Sequence, residues 1–110
     1  MKISIIIYSQ DDETIWNAFR FGVTSLIYDN DVTIFLLGKG VEALNESSLY
    51  DIQEQVDLFR ENGGEMIGCG VCVESRKEEQ PYLEELLSCE MGSMQTLYSL
   101  AIESDKTITF

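Results

Sequence analysis

Two short apolar runs constrain this chain more than any other feature: "KISIIIY" at 2–8 and "VTIFLL" at 32–37. Each is too short for a buried helix and rich in β-branched residues. Each is also nearly unbroken in hydrophobicity, as strands buried on both faces are. Between them, Ser9 to Asp12 supply capping oxygens and acid suited to a helix N-terminus. Ile15, Phe19, Val23, Leu26 and Ile27 then recur at helical spacing as far as about Tyr28, before a turn at 29–31. Two buried strands about 30 residues apart with a helix between them form a βαβ unit, and therefore a parallel sheet.

The alternation continues. Gly38-Lys39-Gly40 breaks the second strand, and a loop runs to Ser47 or Ser48, with Ser48 and Asp51 spaced as a capping pair. Leu49, Ile52, Val56 and Phe59 mark a second amphipathic helix, which Asn62-Gly63-Gly64 ends because these residues accept the left-handed conformation. Residues 65–69 read as a third strand and Gly70 to Arg76 as a loop beyond it. A short helix from Pro81 to Leu87 has proline in its first turn. Ser88 to Met91 is a strand stub. Gly92-Ser93 opens a helix expected to turn Met94, Leu97, Leu100 and Ala101 inward, and 107–110 is a last strand. Strands alternating with helices throughout 110 residues, with no repeat or linker, predict a single α/β domain over 1–110 built on a parallel sheet.

Twenty acidic against seven basic residues give a net charge of −13. Nucleic acid and anionic membranes both require a positive surface, so neither is expected as a direct partner. The first apolar run is far shorter than a signal-peptide core, and no segment approaches the ~18 apolar residues of a membrane span. A cytoplasmic protein is expected. Thiols stay reduced in that compartment, so the three cysteines are not expected to form a disulfide framework.

Two of those cysteines stand three apart in "MIGCGVCVESR", at the carboxyl end of the third strand. Chemistry in parallel α/β sheets gathers at that edge, which the Gly38-Lys39-Gly40 loop shares. Zinc needs four ligands, and this chain has no histidine and only one further cysteine, Cys89, so neither a metal nor another cofactor is expected. A thioredoxin-like dithiol needs the CxxC to open a helix, whereas "VESRKEEQ" follows Cys72. A nucleophilic cysteine carrying sulfur as a persulfide needs an accessible thiolate, backbone donors and room for one more atom. Gly68 and Gly70 around Cys69 allow close backbone approach and unusual φ, while Arg76 and Lys77 offset the acidic field. Both cysteines also suit a buried, inert strand end. Gly38-Lys39-Gly40 lacks the pattern of a phosphate-binding loop.

Together "KISIIIYS", "VTIFLLGKGVEAL", "GGEMIGCGVCVESR", "CEMGSMQTL" and the terminal "KTITF" resemble the DsrE/DsrF-like family over nearly the whole chain. That family includes subunits of sulfur-relay complexes for tRNA thiolation and dissimilatory sulfur oxidation. The resemblance implies a Rossmann-like three-layer α/β/α fold with a five-stranded parallel sheet in the order 4-3-2-1-5. It places the persulfide-carrying cysteine of active members on Cys69, with Cys72 as a candidate helper and Arg76 as a candidate assistant. Backbone groups of Gly38, Gly40, Gly68, Gly70 and Val71 are candidate ligand contacts. Implied partners are donor and acceptor proteins of a sulfur relay. In that strand order a single helix covers one face of the sheet. A homo-oligomer, trimer or hexamer, is therefore expected, with Trp16, Phe21, Met91 and Met94 as interface candidates. The rival readings are a non-catalytic binding or assembly module and a CxxC dithiol redox protein.

Overall fold

The structure, a computed structural model, describes residues 1–45 and 49–110. Five parallel strands, β1 (Lys2–Ile7), β2 (Asp31–Leu36), β3 (Glu65–Cys69), β4 (Glu90–Gly92) and β5 (Lys106–Thr109), form one sheet in the order β4-β3-β2-β1-β5. Both the all-parallel sheet and the strand order agree with the expectation. β1 and β2 pair in register from Lys2 with Asp31 to Ile7 with Leu36, so Ile3, Ile5 and Ile7 share a face with Val32, Ile34 and Leu36. All six are buried.

That face is covered by α1 (Asp12–Ile27) and α2 (Ile52–Glu61). Asp11 caps α1 by accepting the Thr14 N–H, and Asp51 caps α2 by accepting the Glu54 N–H. The expected pairing of Asp51 with Ser48 falls on a residue outside those described. The two helices lock through Phe19 and Phe59, whose rings meet edge to face at 5.9 Å between centroids. Gly22 leaves room for Phe59 and Ile34 where the helices meet the sheet. α2 ends as its sequence demands: Gly63 has φ +90°, and the Gly64 N–H returns to the Phe59 carbonyl.

Two short helices complete the third crossover: α3 (Gly70–Glu74), which opens directly after Cys69, and α4 (Leu83–Leu87). The expected loop over Gly70 to Arg76 is therefore corrected. Five residues hold too few apolar positions to show a helical period, so the sequence pattern is silent there. The expected helix from Pro81 begins two residues later, at Leu83.

The last helix, α5 (Met94–Glu103), lies on the opposite face. There Gly92 packs between Ile67 of β3 and Thr96 of α5. A reciprocal capping box starts it, Ser93 accepting the Thr96 N–H while Thr96 accepts the Ser93 N–H. No residue of α5 is fully buried. Leu97 and Leu100 pack on the core, but Met94 and Ala101, expected inward, are exposed. Apolar residues flank the inward stripe on both sides, so periodicity leaves the helix phase open. The capping box and the hydrogen bond between the Ser104 and Ser4 hydroxyls fix the phase.

Candidate functional site

The third strand delivers Cys69 to the carboxyl edge of the sheet, where it becomes the N-cap of α3. A cap normally offers an oxygen to the first-turn N–H groups. Here a sulfur does so, with Cys69 Sγ accepting the Cys72 N–H at 3.4 Å. Cys72, on the same short helix, points its own Sγ at the neighbouring strand end and accepts the Gly38 N–H at 3.2 Å. Gly38 begins a 3-10 turn, Gly38–Glu42, that follows β2. Each sulfur of the CxxC thus has its own backbone donor, and two strand ends supply them.

The cysteines differ in access. Cys69 is 4% exposed and part of the core, whereas Cys72 is half-buried. Burial pushes the Cys72 thiol above its ordinary range, and the hydrogen bond with Cys69 adds to this. The Gly38 N–H and the Arg76 charge pull the other way. Cys89 lies apart from the pair, packed over Gly68, and burial raises its thiol as well.

Arg76 is not aimed at either sulfur. Its Nε donates to Glu42 Oε2 at 3.0 Å and its Nη1 to the Cys72 carbonyl at 3.0 Å. The other Glu42 oxygen accepts the Gln80 amide at 3.0 Å, and Gln80 accepts the Asn45 amide. Hydrogen bonds from Gln80 and then Arg76 hold the Glu42 carboxyl below the ordinary carboxylate range. Sequence reading missed Glu42 and Gln80. Glu42 lies 34 positions from Arg76, and no spacing rule links residues that meet only through the sheet.

The glycines divide by role. Gly38, at φ +55°, occupies the left-handed region and supplies the donor to Cys72. Gly40 is buried with its Cα against the Ile7 carbonyl, so it packs the turn onto β1. Neither Gly68 nor Gly70 has positive φ, contrary to the expectation of unusual backbone there. Gly68 is an extended strand residue under Met91 and Leu87, and Gly70 begins α3. Val71 is 76% exposed beside the cysteines.

A cleft of about 1270 Å³ opens at the ends of β1 and β2, lined by Tyr8, Ser9, Asp11, Gly38, Lys39 and Tyr50. It meets the sulfur pair only through Gly38. At the edge between β2 and β3, α3 meets the Gly38–Glu42 turn through the Gly38 N–H and Cys72 Sγ. Among the described residues no group of three or more Cys, Asp or Glu side chains is arranged to hold a metal ion. No helix there is long and apolar enough to cross a membrane.

A sequence model of the DsrE/DsrF-like family matches residues 1–110. The chain belongs to that family. An uncharacterised protein of Methanocaldococcus jannaschii is 30% identical over the whole of both chains. Another, from Methanopyrus kandleri, is 30% identical over 89% of this chain and 83% of its own length. The crystal structure of the YchN protein from E. coli superposes with a TM-score of 0.79 at 19% identity, covering 100% of both chains. A conserved protein of unknown function from Bacteroides thetaiotaomicron superposes at 0.72 with 14% identity, covering 99% of this chain and 94% of its own. At these identities the structural likenesses speak for the fold, and the DsrE-like α/β architecture is the one expected from the sequence.

Proposed function

We propose that this protein is a cytoplasmic sulfur carrier that holds sulfur as a persulfide on Cys69 and passes it to an acceptor protein thiol. One observation carries the reading: each sulfur of the CxxC accepts a backbone N–H at the carboxyl edge of a parallel sheet. At Cys72 the Gly38 donor works against the burial that raises the thiol. Membership of a family with sulfur-relay subunits supports the same reading. In the loading step the Cys69 thiolate attacks the outer sulfur of a donor persulfide, the donor's S–S bond breaks, and the donor leaves as a thiolate. In delivery an acceptor thiolate attacks the outer sulfur on Cys69, which leaves as thiolate. Cys69 is buried and Cys72 half-buried, so Cys72 is the more accessible thiol of the pair and loading of Cys69 requires α3 to shift aside.

The test is mass spectrometry after incubation with a low-molecular-weight persulfide. A gain of one sulfur atom is expected, and Cys69→Ser abolishes it. An adduct that survives Cys69→Ser and disappears in Cys72→Ser reassigns the carrier. No adduct on either cysteine ends the relay reading.

A second reading draws on the unexpected helix. With α3 opening directly after Cys69, the CxxC has the placement of a dithiol redox pair. A reversible Cys69–Cys72 disulfide with a defined potential in thiol–disulfide titration is its signature. If Cys72 attacks the inner sulfur of a Cys69 persulfide, the same disulfide forms and hydrosulfide leaves, so the two readings share one intermediate.

We also propose a homo-oligomer, trimer or hexamer. Met94, Tyr98 and Ile102 make an exposed stripe along α5, each more than 60% exposed. Among the earlier interface candidates only Met94 belongs to it. Trp16 stacks on Tyr50 beneath Arg20, Phe21 packs on Phe110, and Met91 covers Gly68. Light scattering on Tyr98→Asp is expected to show dissociation, whereas a wild-type monomer at micromolar concentration rejects the assembly.

A further inference from the structure

The Gly38–Glu42 turn touches α3 at its start and the residues just beyond α3 at its end. At its start the Gly38 N–H meets Cys72 Sγ, and at its end Glu42 meets Arg76. Glu42 and Arg76 are only 20% and 24% exposed at their side chains, so water competes weakly for their pairing. Arg76 is held at two points, by Glu42 through Nε and by the Cys72 carbonyl through Nη1. Gln80 occupies the second Glu42 oxygen and prevents the carboxylate from turning away.

Among the described residues, β3 contributes Cys69 to the surroundings of Cys72. The turn carries Glu42, bound to Arg76, and the exposed Lys39. Beyond α3 stands Arg76. Glu74, on α3 itself, is paired with Lys77 in solvent at 3.8 Å. Lys39 is exposed and its charge acts on Glu42. Of these, Arg76 is the cation held against Cys72, its Nη1 on the Cys72 carbonyl at 3.0 Å, and its charge is the smallest of the influences on that thiol. In a chain with 20 acidic residues, an arginine released from Glu42 has many alternative carboxylates.

We propose that Glu42 is a positioning residue of this site: it holds the Arg76 guanidinium just beyond α3, against the Cys72 carbonyl, and so makes that charge available to the Cys72 sulfur. The inference rests on the reading of the cysteine pair as the chemical centre. Its logic opposes a charge-only view, in which the Glu42 carboxylate simply cancels Arg76 and its removal always favours the thiolate. Gln at position 42 keeps an acceptor for Arg76 Nε but drops the negative charge. Asp keeps the charge but falls one methylene short, and Ala loses both.

The experiment is peptide-resolved alkylation of Cys72 by iodoacetamide across pH, on the full chain. Glu42→Ala and Glu42→Asp are expected to slow Cys72 alkylation about threefold at neutral pH, the scale of one partly screened charge. Glu42→Gln is expected to match the wild type or exceed it. Arg76→Met slows alkylation by itself, and adding Glu42→Ala to it has no further effect. If Glu42→Ala accelerates alkylation as Glu42→Gln does, or still slows it threefold in the Arg76→Met background, the positioning role is refuted. Should the Ala variant fail to fold, Glu42→Asp decides alone, because a charge-only account leaves its rate unchanged. Alkylation needs no sulfur donor. Failure of the persulfide adduct therefore rejects the relay reading, and failure of the alkylation pattern rejects the role of Glu42.

Discussion

Replacing Gly40 by alanine tests how the turn beside Cys72 is held. A Cβ on Gly40 would sit 1.9 Å from the Ile7 carbonyl oxygen and 2.8 Å from its carbon, both backbone atoms that cannot rotate aside. Contacts under 3.0 Å are essentially never seen, so the turn must withdraw from β1 by about 1 Å. The same Ile7 oxygen accepts the Leu37 N–H at 2.9 Å, and withdrawal strains that bond too. Overpacking costs about 1–3 kcal/mol and a weakened hydrogen bond about 1 kcal/mol. Reduced chain entropy in the unfolded state returns about 0.5 kcal/mol. The net loss is about 3 kcal/mol, a large fraction of the 5–15 kcal/mol that holds a typical domain together.

Gly38→Ala provides the contrast. Nothing lies within 4 Å of its Cβ, so it meets only the left-handed strain of φ +55°, about 1–2 kcal/mol. Urea unfolding followed by far-UV circular dichroism, at one protein concentration for all variants, separates the two. With a slope of about 1.5 kcal/mol/M, Gly40→Ala lowers the midpoint by about 2 M and Gly38→Ala by about 1 M. A Gly40→Ala midpoint equal to wild type, or above that of Gly38→Ala, refutes the backbone-contact argument.

Three other outcomes follow from the same geometry. Ser93→Ala removes the capping box of α5 and is expected to cost about 1 kcal/mol, read as a fall of about 4 °C in Tm. Gly70→Ala is expected to leave the urea midpoint within about 0.5 M. Its Cβ meets nothing nearer than the Gly92 oxygen at 3.4 Å, and alanine favours the helix. The depressed carboxyl of Glu42 contributes stability that is complete above the ordinary value of 4.5 and is lost as pH falls through its folded value. Glu42→Gln should therefore flatten the acid limb of a stability–pH curve, and an unchanged limb would show that the Arg76–Glu42–Gln80 contacts do not stabilise the fold.

Much of the site was legible in sequence because its key parts are local. Cys69 and Cys72 lie three apart after a short apolar strand, so the edge of the sheet and the CxxC could be read together. Gly38 was legible as the break after "VTIFLL". Its role as donor to Cys72 was not, because that contact spans 34 positions. α3 escaped notice because five residues cannot display a period. The inward face of α5 was misread because Met94, Leu97, Leu100 and Ala101 fit one stripe as well as their neighbours do.

The sequence by itself determined the α/β class, the strand succession and the presence of a CxxC at the end of the third strand. These depend on hydrophobic periodicity and turn chemistry, which act over a few residues. Resemblance to a family added the order of the strands. Tertiary structure decided that Cys69 is buried while Cys72 is half-buried, that Gly40 packs while Gly38 donates, and that Arg76 is held by Glu42 rather than aimed at a sulfur. Those outcomes depend on which strand ends lie side by side. Parallel pairing of β2 with β3 brings Gly38 and Glu42 to Cys72 and Arg76, and no short-range pattern encodes that meeting.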